Sequence, residues 1–248
     1  MGENKHFKAS NTEKSSSGGF EMNKEAVAKM IDHTALKATT TVNDIQQLCQ
    51  EAMEYNFMSV CVNPYYIAKA YELLKDSPVK VCTVIGFPLG ANTAATKAYE
   101  AAQAVKEGAL EVDMVVNVGA IKSGQWDVVK EDIQGVASAA KDVNKDAIVK
   151  VIIETCYLTK EEKIKVSEII LETDADFVKT STGFGTGGAT IEDVALIKEV
   201  VGQKKLIKAS GGVKNYDDVV AMAKVGADRI GTSGGVAIIS GAQSKDAY

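Results

Sequence analysis

Short β-branched runs recur along this chain with helical segments between them, and that alternation is what most restricts its fold. The runs are Met30–His33, Phe57–Val62, Val79–Ile85, Glu111–Asn117, Ile148–Glu154, Asp176–Thr180, Leu206–Ala209 and Arg229–Gly231. Most are apolar on both faces, as strands of a parallel sheet covered by helices are. Between them, Val42–Glu54 follows Thr41 with Asp44 in the box position. Glu161–Glu172 follows Thr159 with Glu162, and Ile191–Val201 follows Thr190 with Asp193; these are helix-start signals. Asn92–Lys106, Val128–Lys141 and Tyr216–Lys224 complete the helices. Each strand–helix unit takes about 26 residues, which is compact for a βα repeat. An open doubly wound sheet is the competing arrangement, but no GxGxxG follows the first run and the Gly-rich turns follow the last three. A single (β/α)8 TIM barrel, an α/β fold, is therefore expected over residues 23–248. Residues 1–22 include Ser15-Ser16-Ser17-Gly18-Gly19, lack a hydrophobic period and read as a flexible N-terminal extension.

Composition narrows the function class. The 248 residues are 46% hydrophobic and 25% charged, which excludes wholesale disorder and fibrous classes. No stretch approaches the roughly 18 apolar residues of a membrane span, and the polar first residues carry no secretory segment. A net charge of −5 with interspersed signs offers no basic face for nucleic acid and no polybasic membrane segment. The four cysteines form no CxxC pair and read as free thiols in a reducing, cytoplasmic setting. His6 and His33 are the only histidines, so zinc motifs such as HExxH are impossible and any metal would have to rely on carboxylates or thiols.

In a βα barrel the reactive groups sit at the C-terminal strand ends. Two of those ends carry a lysine inside an apolar run: Phe-Val-Lys-Thr at Lys179 and Leu-Ile-Lys-Ala at Lys208. Lysine is among the residues least often buried. On adjacent strands both amines point into one mouth, where each disfavours the other's charged form and desolvation pushes the same way. A neutral amine forms a Schiff base with a carbonyl, and Asp113 stands by to move protons. The bland alternative is a snorkelling side chain or half of an ion pair. That alternative suits Lys150, near the start of its run.

The second constellation is glycine. Thr180-Ser181-Thr182-Gly183, Ser210-Gly211-Gly212 and Gly231-Thr232-Ser233-Gly234-Gly235 close the last three strands. Freed backbone amides there suit a phosphate dianion, and Lys214 adds charge. Cys61 is either a reactive thiol or a small buried hydrophobe. His33 faces away from Asp32 by strand alternation. Glu154 is expected to pair with Lys150 or a mouth lysine, and Trp126 to pack on a helix.

Several strings then carry a resemblance: Ile31-Asp32-His33-Thr34, Val60-Cys61-Val62-Asn63-Pro64, Gly86-Phe87-Pro88-Leu89-Gly90 and Glu111-Val112-Asp113. Lys179-Thr180-Ser181-Thr182-Gly183-Phe184 and Lys208-Ala209-Ser210-Gly211-Gly212-Val213 follow in order. Over about residues 23–235 the chain resembles the deoxyribose-phosphate aldolases. The resemblance implies a metal-free, cofactor-free class I lyase on a TIM barrel. It would reversibly cleave 2-deoxy-D-ribose 5-phosphate to D-glyceraldehyde 3-phosphate and acetaldehyde in deoxyribose phosphate catabolism, as a homodimer or homotetramer. Position by position, Lys179 matches the Schiff-base lysine, Lys208 the lysine that perturbs it and Asp113 the proton relay. Asp32, Thr34, Cys61 and Thr182 match substrate-side positions, and Gly183, Gly211, Gly212, Ser233 and Gly234 the phosphate cradle. Ala35 replaces a common leucine, Leu110 a common aspartate and Gly234 a common serine. Tyr248 resembles the helpful terminal tyrosine of some members. A different Schiff-base barrel aldolase, such as a transaldolase, and a phosphosugar-binding barrel without chemistry remain open alternatives.

Overall fold

A computed structural model describes residues 22–244, and in it the eight runs are eight parallel strands closed into a ring in chain order, β8 beside β1. They are β1 (Ile31–Ala35), β2 (Ser59–Val62), β3 (Lys80–Ile85), β4 (Glu111–Val115), β5 (Ile148–Ile152), β6 (Phe177–Lys179), β7 (Leu206–Ser210) and β8 (Arg229–Thr232). Closure leaves no unpaired edge, which settles the barrel against the open sheet. The helices are α1 (Lys24–Ala28), α2 (Val42–Glu54), α3 (Ile67–Leu74), α4 (Ala94–Lys106), α5 (Val118–Lys122) and α6 (Trp126–Val143). They continue as α7 (Lys160–Leu171), α8 (Ile191–Val201), α9 (Tyr216–Lys224) and α10 (Gly235–Ser240). Among the described residues no helix is long and apolar enough to cross a membrane.

Local chemistry starts several of these helices. Thr41 and Asp44 form a reciprocal capping box on α2, and Thr159 with Glu162 forms another on α7. Thr190 caps α8, but Asp193 turns away to Lys163 Nζ at 2.6 Å, so that box is half made. Helix α3 falls where the pattern shows none, because it begins behind a short turn, Pro64–Tyr66, with no capping side chain. The strand expected over Glu111–Asn117 ends early: Asn117 caps α5 by accepting from Ala120 N at 3.0 Å. The run at Ile148–Glu154 also shortens, as Glu154 adopts a left-handed φ of 52° that no strand continues.

Strand alternation sorts side chains into two regions. Outward residues such as Val60, Val112, Met114, Val149, Val151, Val178, Ile207 and Ile230 join one apolar cluster with the helices, Ile45, Ile133, Val166 and Ile197 among them. Inward positions hold Asp32, Cys61, Cys82, Glu111, Asp113, Lys150, Lys179, Lys208 and Arg229, all buried. Residues 1–21, and Tyr248 with the three before it, lie outside the described residues.

Candidate active site

The inward charges assemble around Asp113. Its Oδ2 accepts from Lys179 Nζ at 2.8 Å and from Lys208 Nζ at 2.7 Å, while its Oδ1 accepts from Lys150 Nζ at 2.8 Å. Lys179 and Lys208 are register partners on β6 and β7, so backbone pairing sets the two amines side by side. Ile153 N donates to the Lys179 carbonyl and Thr180 N to the Lys208 carbonyl, each at 3.0 Å, which pins the backbone on both sides of the amine.

Beneath this lies a floor of ion pairs. Lys208 Nζ sits 2.6 Å from Asp32 Oδ2, and Lys150 Nζ 2.6 Å from Glu111 Oε2. Arg229 bridges Asp32 and Glu111, donating through Nε to Asp32 Oδ1 at 2.8 Å and through Nη2 to Glu111 Oε2 at 2.8 Å. Four basic side chains thus face three carboxylates in a buried interior, a low-dielectric setting where uncompensated charge is costly.

Lys208 departs from the expectation that its charged form is disfavoured in the mouth. Burial disfavours its ammonium, yet Asp113 and Asp32 outweigh that and hold it charged well above the ordinary lysine range. Burial likewise opposes the Asp113 carboxylate, but the Lys150 and Lys208 ammonium groups help hold it well below the usual carboxylate range. Asp32 is depressed in the same way, burial being outweighed chiefly by Arg229 and then Lys208.

The other expected residues fall into two groups. Asp32 and Cys61 point into the same interior, Cys61 packing with Leu36, Cys82, Val84 and Phe87. Thr34 Oγ donates to the Asp32 carbonyl at 2.8 Å. Thr182 stands at the mouth with its hydroxyl donated to Glu154 and its amide donating to Glu154 Oε1 at 3.1 Å. Glu154 was expected to pair with a lysine; it holds the β6 loop instead, because its left-handed backbone turns it away from the strand face. Above Cys61, Phe87 meets Phe184 edge to face with centroids 5.3 Å apart, walling the mouth. His33 faces outward as expected, its Nε2 lying 2.6 Å from Glu51 Oε2, and Trp126 packs against the apolar cluster.

The glycine turns are drawn together. Ala189 N donates to the carbonyls of Ser210 and Gly211, and Gly188 lies so close to Gly211 that any side chain there would strike its backbone. Thr232 Oγ1 reaches the Val213 carbonyl at 3.4 Å, joining the last two turns. Gly211 and Gly212 take φ of 78° and 82°, conformations that favour glycine. The amides of Gly183, Gly211, Gly212 and Ser233 donate to no backbone acceptor among the described residues. The Gly234 amide is engaged, donating to Thr232 Oγ1 at 3.1 Å. A side chain at Gly234 would collide with Ser244, whose amide donates to the Lys214 carbonyl at 2.8 Å. That contact leaves no room for a side chain at Gly234.

Lys150, Glu111, Arg229 and Cys82 were not singled out as site residues. Lys150 carried the same signal as the two mouth lysines, an amine between Val149 and Val151. Glu111 and Arg229 share inward parity with Asp113 and Gly231.

With this geometry in place, comparison with known proteins is decisive. Residues 26–241 match the model of the DeoC/LacD family aldolases. The chain belongs to that family. A deoxyribose-phosphate aldolase of Carboxydothermus hydrogenoformans is 62% identical over 222 residues, 90% of this chain and 97% of the relative. One from Enterococcus faecalis is 59% identical over 86% of this chain and 96% of its own. A solved structure described as a putative deoxyribose-phosphate aldolase from Coccidioides immitis superposes with a TM-score of 0.85 at 41% identity, covering 88% of this chain and 86% of that one. Another, described as a tetrameric deoxyribose phosphate aldolase from Aeropyrum pernix, gives 0.82 at 33% identity, covering 88% and 91%.

Proposed function

We propose that this aldolase reversibly cleaves 2-deoxy-D-ribose 5-phosphate to D-glyceraldehyde 3-phosphate and acetaldehyde through a Schiff base on Lys179. The observation that carries the reading is the shared oxygen, Asp113 Oδ2, between Lys179 and Lys208 at the mouth of a barrel of this family. Lys150, Lys208 and Arg229 each pair with at least two of the three carboxylates, and Lys179 is read as the amine that adds to a carbonyl. Lys179 is also the member of the four that meets only one carboxylate, at the top of the lattice.

In the cleavage direction the Lys179 amine adds to C1 of the open-chain aldehyde, and loss of water gives an iminium. The C3 hydroxyl gives its proton through Asp113, the C2–C3 bond breaks, and its electrons move into the iminium to form an enamine. Glyceraldehyde phosphate leaves. The enamine is protonated at carbon through the Asp113–Lys208 pair, and water then releases acetaldehyde and the amine. The free amides of Gly183, Gly211, Gly212 and Ser233 would hold the phosphate, with Gly234 giving room and Lys214 charge. Asp32, Thr34, Cys61 and Thr182 would border the sugar; Asp32 acts by fixing Lys208.

Borohydride added with acetaldehyde is expected to fix a two-carbon label on Lys179, found by peptide mapping, and Lys179→Leu to lose both label and turnover. Label on Lys208 alone overturns the assignment. We further infer a homo-oligomer in the cytoplasm; the free cysteines support the location, and light scattering of the purified protein tests the assembly.

A further inference from the structure

Cys61 and Cys82 are register partners on β2 and β3, and both point into the barrel. Their sulfurs and an Asp113 carboxylate oxygen lie within 4.8 Å of one another. Cys82 Sγ donates to Asp113 Oδ1 at 3.2 Å and accepts from Lys150 Nζ at 3.5 Å. Neighbouring strands run about 4.8 Å apart, inside the Cα separation of roughly 4.4–6.8 Å that a disulfide spans.

The two thiols are unlike. The neighbouring Cys82 thiol, aided by the Lys208 charge and opposed by burial, lowers Cys61 below the ordinary thiol range. Burial, the neighbouring Cys61 and the Asp113 charge hold Cys82 well above it. One sulfur is therefore disposed to be a nucleophile and its neighbour to remain a thiol. The triad also has the spacing of metal ligands, but Asp113 already faces the Lys150 and Lys208 ammonium groups, which repel a cation.

We propose that Cys61 and Cys82 form a peroxide-sensitive dithiol that closes to a disulfide on the floor of the mouth and turns the site off. The Cys61 thiolate attacks one oxygen of hydrogen peroxide and the O–O bond breaks. The departing hydroxide takes up the proton that Cys61 had released and leaves as water, with Cys61 now a sulfenic acid. The Cys82 thiol attacks that sulfur, the S–O bond breaks, and the hydroxyl leaves as a second water with the Cys82 proton. Two electrons pass from the sulfurs to the peroxide. Closure takes the Cys82 S–H from Asp113, the group shared by both mouth lysines. Access rests on the Schiff-base reading of Lys179: a mouth that admits an aldehyde to an amine only 2% exposed admits peroxide, a smaller molecule, toward Cys61 beneath Phe87.

The test treats the purified full chain with hydrogen peroxide, alkylates it after denaturation and maps the peptides. A crosslinked Cys61–Cys82 pair is expected, with Cys49 and Cys156 still alkylated and the intact mass lower by two hydrogens. Turnover is expected to fall to a small fraction and to return with dithiothreitol. In Cys82→Ser the disulfide is expected to be absent and Cys61 to be captured by dimedone. Full alkylation of both thiols after peroxide, a link through Cys49 or Cys156, or unchanged turnover with the crosslink complete would each overturn the proposal. A crosslink in a protein that borohydride cannot label at Lys179 would sink the aldolase chemistry and the switch while leaving the dithiol standing.

Discussion

Inside the ring of strands this chain buries a lattice of charge; between the ring and the helices it buries mostly hydrocarbon, with the Lys97–Asp132 pair an exception. The same eight strands line both regions, one residue apart. Each apolar side chain in the outer layer contributes about 1.5–3 kcal/mol by leaving water. Each ion in the inner region costs several kcal/mol before pairing offsets it. The outer layer therefore holds the fold together, and the inner one spends part of that stability on keeping amines and carboxylates in fixed contact. A substitution should reveal which region it lies in by whether turnover or folding suffers.

Asp113→Asn should separate the two most sharply. It keeps the shape but removes the charge that three lysines share, and turnover is expected to fall by about 10²–10⁴-fold while the circular dichroism spectrum is retained. An unchanged rate would remove Asp113 from the proton route. Arg229→Met tests whether the floor is structural, since it leaves Asp32 and Glu111 short of a partner. A loss of about 3–5 kcal/mol in urea unfolding is expected, as for a broken buried ion pair.

Ile133→Ala, in the outer layer on α6, should lose about 2–5 kcal/mol while turnover per folded molecule stays at the parent value. A drop in turnover without a loss of stability would blur the division. Acid supplies a gentler probe. Asp32 and Asp113 are depressed in the fold, so the stability they contribute is complete above the unfolded aspartate value of about 3.9. It is lost as pH falls below that toward their folded values; denaturant midpoints measured from pH 7 to 3 should hold and then drop below about 4. Asp113→Asn should flatten that drop. The smallest effect is expected at Thr41→Ala, which removes the α2 cap and should cost about 1 kcal/mol with no change in rate.

The strands and most helices were legible because periodicity and capping are written within a dozen residues. Helix α3 was not, since it is short and starts behind the Pro64–Tyr66 turn with no capping side chain. Lys179 and Lys208 stood out as amines in apolar runs, and Lys150 was passed over although its setting is the same. Reading it as half of an ion pair was sound as far as it went; the unseen part was that its partner is the central Asp113. Such partners lie far apart in the chain, 95 residues for Asp113 and Lys208, and only ring closure brings them together. Glu154 misled for a different reason. Its direction is set by a backbone angle that no side-chain pattern announces.

The hydrogen bonds that clamp the main chain on either side of Lys179 have a practical corollary. Its main chain is held in the strand ladder, whereas Phe87 and Phe184 stand on turns beyond the strand ends. If Lys179 forms the proposed Schiff base, acceptor preference is open to redesign by rewriting those rims while the amine stays in place.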